Sequence, residues 1–179
     1  GAFARFLDGN GQVSNLILGR SDAHWSYYID VDHSSLEGGD WVETSPGNYS
    51  CPTRVDFFSA FDEYMMGLRT PEEVAPTFFV SSLSNDQPSA RSVGTPALGA
   101  TCSGTPVTVA IEDIIAAEGE RTPYEPDEQK DLRTAFILVI QNGGTATQAE
   151  LDQIATYRRA WEPYFEKSVD GLSLIHISE

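Results

Sequence analysis

At 179 residues the chain is long enough for one domain with a real hydrophobic core, needing neither metals nor many disulfides to fold. Its 27 acidic and 11 basic side chains give a formal charge of −16, which argues against a phosphate backbone as partner, because nucleic-acid binding rests on clustered Lys and Arg. No apolar run nears the roughly 20 residues that cross a bilayer, so a membrane partner is not expected either.

Phe3 to Leu7 and Val13 to Leu18 flank Asp8-Gly9-Asn10-Gly11, whose glycines and Asn permit the positive φ of a tight turn; this predicts a hairpin. Trp25 to Val31 reads as a strand, and Trp41-Val42-Glu43 with Tyr49 as a second hairpin around Pro46-Gly47-Asn48. Ser59 followed by Asp62 predicts a capped start for a short helix over 58–68 that Gly67 stops. Thr70-Pro71-Glu72-Glu73 is a further helix start that cannot run past Pro76. Thr77 to Val80 is read as a strand, Ser81 to Ser103 as a long surface loop, Val107 to Ala110 as a short strand, and Ile111 to Ala117 as a helix ended by Gly119.

Leu132 to Ile140 is almost wholly apolar and β-prone, which predicts a buried central strand. Thr147 with Glu150 predicts the cap of a last helix whose stripe Leu151, Ile154, Tyr157, Trp161 and Tyr164 faces a core, with Pro163 kinking or fraying its final turns. The resulting class is α+β: an antiparallel sheet and hairpins in the N-terminal part, helices packed against it, and a long C-terminal helix. Phe3, Phe6 and Leu7 follow Gly1 with no cap or turn before them, so the domain is expected to begin upstream of this sequence. Residues 172–179 resemble the translation of sequencing-adapter DNA, which predicts one truncated domain over 1–170 and a non-native tail over 171–179.

Cys51 and Cys102 sit in Pro-, Ser-, Thr- and Gly-rich stretches, where a disulfide suits an exported acidic protein and two free thiols are the alternative. The sequence contains no HExxH, GxSxG, phosphate-cradling glycine loop or paired CxxC, so it announces no self-sufficient catalytic motif. Of the histidines, His24 and His33 flank the strand from Trp25, and His176 lies in the tail. Oxygen-bearing side chains alternate in Asp8-Gly9-Asn10-Gly11 and in Asp30-Val31-Asp32 as they do in calcium loops, although turn and strand end account for both. Glu37, Asp40 and Glu43 form an acidic stretch beside Trp41, read either as the lining of a substrate cleft or as a wet loop.

Leu18-Gly19-Arg20, Ala23-His24-Trp25-Ser26-Tyr27-Tyr28-Ile29-Asp30, Leu36-Glu37-Gly38-Gly39-Asp40 and Phe58 to Leu68 resemble the downstream half of a group of exported bacterial proteins with a zincin-type, metzincin-like metallopeptidase domain. Ile111-Glu112-Asp113-Ile114 and Arg159-Ala160-Trp161-Glu162-Pro163-Tyr164-Phe165 extend the likeness to about Asp170. The resemblance implies a His-Glu-x-x-His helix just upstream of Gly1, a zinc cofactor bound only when that helix is present, and a peptide or protein substrate outside the cytoplasm. Two helical histidines leave a third ligand to be found downstream, and His24, Asp62 and Glu63 compete for it. Tyr64 is the candidate oxyanion donor, with a half-buried structural aromatic as the alternative. Met66 resembles the methionine beneath the metal, although its place within a helix departs from that turn, and core packing explains Met65. Without the upstream helix the fragment is expected to be inactive. A non-catalytic extracellular binding or structural module able to bind calcium, and a degenerate peptidase-like domain, stand as the alternatives.

Overall fold

The computed structural model describes residues 4–177 apart from 33, 54–56, 84–86, 91–93 and 124–129. The chain is α+β and divides into two compact units, Gly1–Glu128 and Gln129–Glu179, each described by itself below.

In the first unit, β1 (Phe6–Leu7) and β2 (Val13–Ser14) form the expected hairpin, closed by Asp8 Oδ1 accepting the backbone N–H groups of Asn10 at 2.9 Å and Gln12 at 2.8 Å. Next come β3 (Trp25–Asp30), β4 (Glu37–Gly39), β5 (Val42–Ser45) and β6 (Asn48–Ser50). The helix α1 (Ala60–Met66) is followed by a 3-10 turn at Pro71–Glu73, then β7 (Thr77–Ser81), β8 (Thr101–Ser103), β9 (Thr105–Val109) and the helix α2 (Ile111–Glu118). Beyond the β1–β2 hairpin, the described strands of this unit form a four-stranded sheet in the order β4-β3-β7-β9 and a three-stranded one in the order β5-β6-β8. The first departs from the all-antiparallel expectation, since β4 lies parallel to β3 with Trp25 opposite Glu37 and Asp30 opposite Gly39.

Trp25, Ile29, Phe79, Val109, Ile111 and Ile114 share one core cluster, to which α1 adds Phe61 and Tyr64. Tyr28, Trp41, Tyr49, Val80 and both cysteines form a second. Residues of β3 enter both clusters, which is why that strand is buried at Trp25, Ser26, Tyr28 and Ile29 rather than at alternate positions. The capping box of α1 forms as expected: Ser59 Oγ accepts Asp62 N–H at 3.2 Å, and Asp62 Oδ2 accepts Ser59 N–H at 2.8 Å. Gly67 ends the helix at φ 84, the left-handed region where a side chain is strained.

The second unit holds β10 (Asp131–Thr134), the long helix α3 (Gln148–Ser168) and β11 (Leu174–Ile177), with β10 and β11 parallel. Two expectations are corrected here. The run from Leu132 to Ile140 is not a buried strand: regular structure stops at Thr134, and Ile137 and Val139 are 79% and 84% exposed. Nor does the stripe on α3 face a core, because Leu151, Tyr157, Trp161 and Tyr164 are all exposed and the helix buries only Phe165 and Ser168. The physical reason is common to both. An apolar pattern states what a segment can bury, and burial also requires a second layer, which in this unit extends only over Phe165, Val169 and Ile175. The helix carries through Pro163 to Ser168.

Candidate functional site

His24 stands at the neck of a tight loop. An isolated bridge joins Leu18 to Trp25, and just inside it Gly19 N–H donates to His24 C=O at 2.8 Å. A side chain at Gly19 would place its first carbon 2.4 Å from the carbonyl oxygen of Trp25, so only glycine lets the two segments approach this closely. Between them the chain makes a 3-10 turn, with Ser21 and Asp22 at φ 57 and 49. Trp25 then fastens the loop to the fold: its indole is fully buried, meets Phe61 edge-on at 6.2 Å and donates Nε1–H to Asp62 Oδ1 at 2.7 Å.

The half-buried His24 ring is oriented by one hydrogen bond, between Nδ1 and the backbone oxygen of Arg20 at 3.0 Å. A carbonyl oxygen only accepts, so Nδ1 carries the proton, and the neutral ring then presents its lone pair at Nε2. The same Arg20 reaches across with its side chain to Glu37, where Nε donates to Oε1 at 2.8 Å and Nη2 donates to the same oxygen. Glu37 is 7% exposed, has φ 75, and leaves Oε2 buried with no hydrogen-bond partner among the described residues. A buried acceptor left unsatisfied costs about 1–3 kcal/mol, and a non-glycine residue in that backbone region costs about as much again. The acidic stretch of the sequence is thus split by the fold: Glu37 is interior, while Glu43 lies on an exposed strand with its Oε1 accepting Gly47 N–H at 2.9 Å.

The other sequence candidates are placed differently. Asp62 is 1% exposed and its two oxygens accept from Trp25 Nε1, Ser34 Oγ at 2.6 Å, Ser59 N and Ser59 Oγ at 2.9 Å, which occupies its accepting capacity in holding α1 to the sheet. Glu63 is fully buried and paired with Arg69. Tyr64 is 1% exposed, and its hydroxyl accepts Arg121 N–H at 3.1 Å. It lines a cleft of about 460 Å³ together with Met65, Ile114, Glu118 and Arg121, and His24 is not among the residues lining that cleft. Met65 packs against the main core, and the carbonyl of Met66 accepts Arg121 Nη2 at 3.4 Å. His33 lies outside the described residues, and His176, in the second unit, comes within 3.9 Å of Asp131.

Among the described residues one group of three side chains is close enough to hold a metal ion, Asp30, Asp32 and Asp40, with one oxygen of each within 4.8 Å of the others. The sequence pairs the first two. Asp40 joins them because the parallel register sets Gly39 opposite Asp30, a non-local fact that no spacing rule conveys. Burial pushes the Asp30 carboxyl up to about 6, with the charges of Asp32 and Asp40 adding to the shift and the hydrogen bond from Trp41 N–H at 3.0 Å opposing it. Asp40 accepts in turn from Thr53 Oγ1.

The disulfide expected between Cys51 and Cys102 is not formed, and both are buried free thiols. The register explains this. Tyr49 lies opposite Cys102, and Cys51 N–H donates to Ala100 C=O at 2.9 Å, so the two cysteines sit diagonally across the β6–β8 ladder instead of facing each other. Burial raises both thiols, Cys102 to about 11 with Cys51 contributing, which keeps them protonated and unreactive at neutral pH. Compared with known proteins, the chain matches no family model, no curated protein and no solved structure.

Proposed function

We propose that this chain is the downstream part of an exported zinc-peptidase-like domain and that His24 is the metal ligand it contributes. The observation that carries the reading is the bond from His24 Nδ1 to the Arg20 carbonyl, since metal-binding imidazoles characteristically donate their other ring N–H to a carbonyl or carboxylate and so fix the tautomer. Neither Asp62 nor Glu63 fits the same role: the first has its oxygens occupied by four donors, and the second is committed to Arg69. The donor set here is therefore a single imidazole, and the remaining ligands in this reading come from the His-Glu-x-x-His helix that the resemblance implies upstream. Zinc bound there supplies a water activated near neutral pH and polarises the substrate carbonyl.

The work of this chain is to hold His24 in one rotamer and one tautomer through a loop nailed down by Trp25, while the acidic surface of Gly1–Glu128 disfavours anionic substrates. Tyr64 serves the end of α1 in this reading, its hydroxyl receiving the backbone of Arg121. The test is zinc content of the protein expressed with the coding sequence that precedes Gly1. About one equivalent is expected, falling severalfold in His24→Ala; zinc unchanged by that substitution would refute the assignment.

A second reading, a calcium-binding module without catalysis, is favoured by the convergence of Asp30, Asp32 and Asp40. It requires that millimolar calcium raise the thermal midpoint of this chain and that Asp30→Asn abolish the increase. A midpoint indifferent to calcium ends it.

A further inference from the structure

We propose that a cleft beside β3 in the first unit binds a small organic amine, its apolar body seated between the strands and its ammonium held by Asp8 at the rim. The cleft stands apart from the metal reading, since none of His24, Arg20, Glu37 or the three clustered aspartates lines it. It measures about 550 Å³, within the range of small-molecule sites. Strand pairing explains why it is there. Trp25 N–H donates to Leu36 C=O at 2.9 Å and Ser26 N–H to Ile17 C=O at 2.8 Å, and successive N–H groups of a strand point to opposite edges. β4 therefore takes one edge of β3, and two partners share the other: the Ile17–Leu18 segment beside Trp25, and β7 beside Ile29. Both run antiparallel to β3. Counted out from the pairs Leu18 with Trp25 and Phe79 with Ile29, Leu16 and Ser81 fall opposite the same residue, Tyr27, so the two segments must part there. Leu16 and Ser81 both line the cleft. The gap reaches both faces of the sheet, because Phe6 and Phe79 on its wall belong to the main core cluster, whereas Tyr28 and Val80 belong to the second.

The lining selects the ligand's chemistry. The walls are apolar, with Phe6 and Phe79 edge-on at 5.7 Å and Leu16, Leu83 and Val107 beside them. Polar side chains along the cleft are spent on the protein itself: Ser26 Oγ accepts Tyr28 N–H at 3.3 Å, the Tyr28 hydroxyl donates to Pro88 C=O at 2.6 Å, and the Ser81 hydroxyl donates to Thr105 C=O at 3.0 Å. Asp8 is the one charged side chain among the described lining residues. The hairpin turn fixes its position, since Oδ1 accepts the N–H groups of Asn10 and Gln12, and Oδ2 takes no donor among the described residues. A half-buried carboxylate held at the rim of an apolar cleft, with no described basic side chain lining it, favours a cation attached to hydrocarbon and repels an anion.

The experiment is an NMR titration of this chain with phenylbutylamine, phenylbutanol and phenylbutyrate, which share one apolar body and differ in the charge of the head. Saturable shifts at Ser26, Ser82 and Leu83 are expected with the amine, binding about tenfold weaker with the alcohol, and none with the carboxylate. Asp8→Asn keeps an oxygen for the turn while removing the charge. It is expected to weaken the amine about tenfold and to leave the alcohol unchanged. Glu112→Gln, at an exposed carboxylate that does not line the cleft, is expected to change neither. Equal affinity for amine and alcohol, or an equal loss in Glu112→Gln, reduces the attraction to the overall charge of the chain and overturns the proposal. An amine that moves none of the lining residues overturns it as well.

Discussion

The two units of this chain use their apolar residues in opposite ways. Gly1–Glu128 carries 20 acidic against 6 basic side chains, yet it buries Trp25, Ile29, Val109 and Ile111 completely. Gln129–Glu179 is nearly balanced, with 7 acidic against 5 basic, and exposes its most apolar run along with most of the stripe on α3. Charge therefore does not decide which unit has a core. What decides is whether each apolar face meets another layer: β3 is covered from both sides, whereas the run after Leu132 has β11 beside only its first residues. The residues of the candidate site follow the same division, since a loop such as Gly19–His24 holds a ring in place only where Trp25 can be sunk into a packed interior.

The widest gap between the units should appear in core truncations. Ile29→Ala is expected to cost about 2–5 kcal/mol, as for other buried aliphatic residues. Ile137→Ala, at a position 79% exposed, should fall within about 0.5 kcal/mol of wild type in urea unfolding. A loss near 2 kcal/mol at Ile137 would break the comparison by showing that this face is covered in solution.

Asp62→Ala should come close behind. It removes the acceptor shared by Trp25, Ser34 and Ser59 and leaves buried donors without partners, a loss of about 3 kcal/mol with the tryptophan emission shifted to the red. A near-neutral Asp62→Ala would mean that the network is not what binds α1 to the sheet.

The smallest effect concerns Asp30. Its folded-state carboxyl is raised from 3.8 to about 6, so the favourable protonated form is fully present below about pH 4 and its contribution is lost as pH rises through about 6. Asp30→Asn should therefore stabilise the first unit by about 1 kcal/mol at pH 7, a figure reduced for partial exposure, and by nothing at pH 4. Unfolding midpoints at the two pH values check this, and equal gains at both would contradict the role of the carboxylate.

Much of the first unit was legible in the sequence because its signals are local. Asp8 to Gly11 turns the chain, Ser59 with Asp62 opens α1, Gly67 closes it, and the Pro71 turn falls where Thr70 caps it. Thr147 with Glu150 likewise marks the start of α3. The stretch from Ser81 to Ser103 is a loop only in part, since β8 emerges within it through pairing with β6, and that pairing places Cys102 in a strand. The candidate site was legible only in His24. Glu37 stands in an acidic stretch of the sequence, and nothing local says that β4 will run parallel to β3 and take this one carboxylate inside. Left-handed φ at a glutamate has no sequence signature either.

The proton position on His24 is the decisive measurement, because the tautomer follows from the fold alone and needs no metal. Ring nitrogen NMR of the neutral imidazole should show the proton on Nδ1 and an unprotonated Nε2, and this single tautomeric state should be lost when Gly19→Ala disrupts the loop. A proton found on Nε2 in the wild type would contradict the ligand assignment and the site built upon it.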